Sequence, residues 1–160
     1  MATPVSLADI VTELEAADDG ATSYFDRDGG RVVLVTDEAR DLAESDALDA
    51  GVPRWQRESI ALARLVLDDD GTRFVRLPGK RDIHEWQMMA DFASSLADDD
   101  AAARLSRALR GRGAFRFFKD TAASLGLVDA WFSYREERFR QLAIEWCTST
   151  GLEWHDDARP

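Results

Sequence analysis

The chain has one cysteine, Cys147, among its 160 residues, so no intrachain disulfide is possible. It has two histidines, His84 and His155, and no Cys or His at metal-ligand spacing. Lysine is almost missing, with Lys80 and Lys119 set against 18 arginines. No apolar run approaches a membrane span: Val32–Val35 and Leu65–Leu67 are far too short. The first residues, Met1-Ala2-Thr3-Pro4-Val5-Ser6, have no basic segment leading into an apolar one. No secretory signal is expected, and the chain reads as cytoplasmic.

What is present is acid. The net charge is −11, with 31 Asp and Glu against 20 Lys and Arg. The excess of Asp over Glu and of Arg over Lys is the usage a GC-rich coding sequence produces. An acidic balance excludes broad adhesion to duplex DNA or anionic membranes, since phosphate binding needs excess positive charge. Length, 45% hydrophobic content and 32% charge fit one globular domain spanning 1–160, with 1–5 and 155–160 expected to be flexible.

Periodicity predicts an α+β fold. A small three-stranded antiparallel sheet accompanies five to six helices, and the C-terminal half is all helical. A helix over 6–17 carries Leu7, Ile10, Val11 and Leu14 on one face, with Ser6 and Asp9 as its cap. Residues 23–27 and 31–36 flank Asp28-Gly29-Gly30, a hairpin signal. Residues 37–49 read as a short helix and a loop. A helix over 54–68 would bury Trp55, Leu62, Leu65 and Val66, and 72–78 is the third strand. Asp82 and Glu85 read as a capping pair for a helix to about Leu96. That helix would turn Trp86, Met89, Ala93 and Leu96 inward, with Phe92 beside them. Helices over 101–110, 113–125 and 128–149 follow, separated at Gly111 and Gly126. The second of these would bury Phe115, Phe118, Ala122 and Leu125. The third would bury Phe132, Phe139, Leu142, Ala143 and Trp146. Residues after Trp154 read as a frayed tail.

The charge is segregated. Between Arg104 and Lys119 stand six basic residues and no acidic one, so the rest of the chain carries −17. If a helix starts near Gly113, its first amides and positive dipole end face the Gly111-Arg112-Gly113 turn. Arg110, Arg112, Gly113, Arg116 and Lys119 then form a candidate site for an anion or an acidic partner. A purely structural reading stands beside it. Arg107 and Arg110 suit a helix C-terminus, the glycines break a helix, and the other arginines pair with the acidic surface.

Other candidates read as structural. Arg112-Gly113-Ala114-Phe115 lacks the aromatic that follows the first Gly in the RNA-binding strand signature, and its surroundings are helical. His84 reads as a first-turn helix residue. Cys147 has no activator nearby in sequence. The triplets Asp68-Asp69-Asp70 and Asp98-Asp99-Asp100 fit turn and helix-start chemistry better than a cation site. Glu136 and Glu137 are adjacent on a helix and form a poor acid/base pair. Trp131 and Tyr134 read as core, though one of them near the basic segment would be of interest. No catalytic residue, metal site or cofactor is expected. The expected function is a non-enzymatic binding or adaptor protein whose partner is another protein or a small anionic ligand, with no membrane; the alternative is a phosphate-bearing ligand, a nucleotide or an RNA end, held at residues 110–119.

Through Gly111-Arg112-Gly113-Ala114-Phe115-Arg116-Phe117-Phe118-Lys119-Asp120 the chain resembles the bacterial uncharacterised protein family 0158 of the UPF series. The resemblance extends to Tyr24-Phe25-Asp26 through Val33-Leu34-Val35-Thr36-Asp37-Glu38, to Ile60-Ala61-Leu62-Ala63-Arg64, and to Leu77-Pro78 with Asp82-Ile83-His84-Glu85. It continues in Gly126-Leu127, Trp131, Arg135-Glu136-Glu137 and Ala143-Ile144-Glu145-Trp146. It covers nearly the whole chain, implies a cytoplasmic bacterial protein with these boundaries, and carries no activity.

Overall fold

The computed structural model describes residues 4–45 and 51–157. The loop expected up to Asp49 lies largely outside the described residues, as do 1–3 and 158–160. In chain order the elements are β1 Val5–Ser6, α1 Leu7–Glu15, β2 Ala21–Asp26, β3 Arg31–Thr36, α2 Asp37–Glu44, α3 Arg54–Asp68 and β4 Phe74–Arg76. Then come α4 Glu85–Ser95, α5 Asp99–Ala108, α6 Ala114–Ser124, α7 Val128–Ser149 and β5 Trp154–His155. The protein is α+β, with seven helices among the described residues and an antiparallel sheet ordered β3-β2-β4.

Two compact units are present. The first comprises the described residues up to Asp82 and from Leu142 onward. The second is Ile83–Gln141. Helix α7 contributes to both memberships.

In the first unit the hairpin forms in the expected place. Asp26 pairs with Arg31, and the four-residue turn closes when the Gly30 amide donates to the Asp26 carbonyl at 2.8 Å. Gly30 supplies the positive φ, 67°. Val35 of the sheet packs with Ala39, Ala43, Ile60 and Ala63 of α2 and α3. Small side chains let these helices approach closely. The predicted α3 stripe is therefore corrected: Leu62 and Val66 are half-buried, but Trp55 and Leu65 are 68% and 51% exposed.

Asp26 is the buried charge of this unit, at 4% exposure. Its carboxylate accepts from Arg73 Nε at 2.9 Å, Arg73 Nη2 at 3.1 Å and the Asp28 amide at 3.0 Å. Nearby, Asp69 accepts from the amides of Gly71, Arg73 and Phe74, which ties the α3–β4 turn. The aspartate triplet there is turn chemistry.

The C-terminal segment expected to fray contains structure. Val5 and Ser6 pair in parallel with Trp154 and His155. Asp157 accepts from Ser6 Oγ at 2.6 Å and the Ala8 amide at 2.9 Å, capping α1 together with Ser6. Trp146 Nε1 donates to the Arg76 carbonyl at 2.8 Å.

In the second unit Phe92 and Phe118 pack with Trp131 and Tyr134 in edge and tilted contacts. Trp131 is buried and Tyr134 half-buried, so both serve as core. The Asp82–Glu85 capping pair does not form. His84 is the N-cap of α4 and its side chain makes no cap bond, while Asp82 accepts from the Gly79 amide. Met88, Met89, Phe92 and Ala93 are the buried face of α4, and Trp86 is 46% exposed. Phe115 and Phe132, both expected inside, are 47% and 50% exposed.

Candidate anion-binding groove

The basic segment folds as a helical hairpin within the second unit. Asp98 caps α5 by accepting from the Asp100 and Ala101 amides at 3.0 and 3.2 Å. Asp99 and Asp100 occupy the first turn and Arg107 the last, as the helix dipole favours. The helix ends at Ala108, and the carbonyl of its C-cap, Leu109, accepts from Trp86 Nε1 at 3.1 Å, so the turn is anchored to α4. Gly111 and Gly113 take φ of 81° and 72°, and α6 begins at Ala114 with no side-chain cap.

Between α5 and α6 lies an open groove of about 400 Å³ lined by Arg104, Arg107, Ala108, Arg110, Phe117 and Thr121. Arg104, Arg107 and Ala108 stand at i, i+3 and i+4, one face of α5. Arg104 Nη2 donates to Ser124 Oγ at 3.4 Å, which steers it along α6. Arg107 and Arg110 make no ion pair among the described residues. No acidic side chain lines the groove.

Of the five residues singled out by sequence, Arg110 lines this groove. Arg112, Gly113, Arg116 and Lys119 are exposed and are not part of its wall. Arg116 lies 3.9 Å from Asp120, an exposed i,i+4 pair. Gly113 acts through Phe117: a Cβ there would stand 3.3 Å from Phe117 Cε2. The missing side chain lets the ring lie against the turn. Arg104, Arg107, Ala108, Phe117 and Thr121 complete the wall. The three-residue spacing of Arg104, Arg107 and Arg110 is the sequence signal: it sets two of them on one side of α5 and the third at the turn after it.

The remaining candidates have structural surroundings. The RNA-binding-like run falls on a turn and the start of a helix, not on a strand. The Cys147 thiol is fully buried, and burial pushes it up to about 11, so it is not a nucleophile at neutral pH. His155 Nε2 lies 3.2 Å from Asp157, which also accepts from Ser6 Oγ. Among the described residues no group of three or more His, Cys, Asp or Glu is placed to hold a metal ion. No helix among them is long and apolar enough to cross a membrane.

The chain is similar to the UPF0158 protein PA5073 of Pseudomonas aeruginosa, 27% identical over 135 residues, which is 84% of this chain and 76% of that protein. No solved structure matches. The uncharacterised protein family UPF0158 matches residues 3–156. On that match, across nearly the whole sequence, the chain belongs to UPF0158.

Proposed function

We propose that this protein is a cytoplasmic binding module that takes an anionic partner in the α5–α6 groove and does not act as a catalyst. One observation carries the reading: three arginines line one groove, and no acidic residue lines it with them. In a chain of net −11, electrostatics favours a carboxylate neutralising such a cluster. Arginine forks match both carboxylate and phosphate, so the partner is an acidic protein face or a phosphate-bearing ligand. The groove's walls also hold no carboxylate, imidazole or thiol to move a proton during a reaction. Beyond the groove, Arg112 on the turn and Arg116 and Lys119 on α6 steer an anion toward it.

Calorimetric titration with tripolyphosphate tests the reading. The wild-type chain is expected to bind, and Arg107→Gln with Arg110→Gln to weaken binding tenfold or more. Each lost charge-assisted hydrogen bond is worth about 1.5–3 kcal/mol. Arg112→Gln with Arg116→Gln is expected to cost less, because those side chains lie outside the wall. Equal affinity of the groove variant and the wild type would reject the proposal.

A further inference from the structure

Resting on that reading of the groove, we infer that its occupant is a nucleotide, with phosphates on the α5 arginines and the base stacked on Phe117. The ring is placed for such a contact. Phe117 belongs to the groove wall yet is 56% exposed, an arrangement that leaves a large apolar surface in water. The ring lies beside Gly113, where a Cβ would approach Cε2 to 3.3 Å, so the missing side chain leaves it room there. A flat aromatic partner covers such a face without needing a deep cavity. Base stacking on aromatic side chains works in this way and tolerates an open site.

The polar half of the wall fits the other half of a nucleotide. Arg104 and Arg107 are separated by about 4.5 Å along the helix axis, and Arg110 follows at the turn. Three arginines on one wall exceed the needs of a single carboxylate and suit a run of phosphates. A volume of about 400 Å³ falls within the range of small-molecule sites. An acidic peptide would satisfy the arginines but leave the ring uncovered. The net charge of −11 opposes a long polyanion, so the ligand is either a free nucleotide or the phosphorylated end of a strand.

The test titrates the full chain with four probes: ATP, tripolyphosphate, a 5′-phosphorylated oligoadenylate and polyglutamate. Phe117→Leu keeps an apolar side chain at an exposed position and removes the π face. It is expected to weaken ATP roughly five- to 150-fold and to leave tripolyphosphate within about twofold. Arg107→Gln with Arg110→Gln is expected to weaken both. Comparing ATP with the oligoadenylate separates a free nucleotide from a strand end. Polyglutamate binding tighter than ATP would overturn the inference. So would a Phe117→Leu variant that binds ATP like the wild type, or that loses ATP and tripolyphosphate alike. Tripolyphosphate binding that depends on the arginines would still leave the groove standing as an anion site. No arginine-dependent binding of any probe removes the groove reading and this inference with it.

Discussion

At the scale of single residues, the two groups with the most distinctive chemistry are structural. Arg73 beside Asp26 holds its carboxyl below the ordinary value of 3.8, against the opposing effect of burial, with the Gly29 and Asp28 amides helping. A carboxyl depressed on folding stabilises the native state above its unfolded value. That contribution disappears as pH falls through the folded value. Asp26→Asn is therefore expected to destabilise the protein by about 1.5–3 kcal/mol at pH 7. Urea unfolding should show the gap between wild type and variant narrowing below about pH 4, near the unfolded Asp value. A gap that is constant with pH would assign the loss to packing. Cys147 makes the second case. A bulky thiol reagent at pH 8 is expected to leave it unmodified in the native protein and to label it fully in denaturant. Stoichiometric labelling without unfolding would contradict its burial.

At the scale of elements, capping and turn chemistry made the boundaries legible. Asp98, Gly111, Gly113 and Gly126 mark the ends of α5, α6 and α7 within a residue or two. Asp28-Gly29-Gly30 located the hairpin. Burial was read less well, for one physical reason. A search for stripes weighs large side chains, whereas α3, α5 and α6 each bury alanines: Ala63, Ala101, Ala114 and Ala122. Close approach through small residues leaves Trp55 on α3 and Phe115 on α6 outside. The β1–β5 pair had no local signal at all, because two residues at either end of the chain carry no periodicity. The groove was half legible. Its charge stood out, but only the hairpin geometry sorts Arg107 and Arg110 from Arg112 and Arg116. Gly113→Ala tests that geometry. An L side chain at φ 72° costs about 1–2 kcal/mol, and the added Cβ also meets Phe117. Gly111→Ala has the same kind of φ with nothing within 4 Å. Thermal melts are expected to rank Gly113→Ala as the less stable of the two. The reverse order would mean that Phe117 does not pack on the turn.

At the scale of the molecule, charge sorts the possible partners. Residues 1–100 carry −13, and the basic residues between Arg104 and Lys119 form a single short segment. Duplex DNA of arbitrary sequence is expected not to bind at physiological salt, because repulsion by the acidic surface outweighs one local cluster. Micromolar retardation in a gel-shift assay would contradict this balance. A small anion meets the cluster alone and escapes most of that repulsion.

The most direct measurement is a nitrogen-15 NMR titration of the full chain with ATP and with tripolyphosphate. The groove account expects the amide shifts that move to cluster between Arg104 and Thr121 for both ligands, with the larger changes around Phe117 reserved for ATP. Shifts confined to other segments, or none at millimolar ligand, would contradict the assignment of this groove as the anion site.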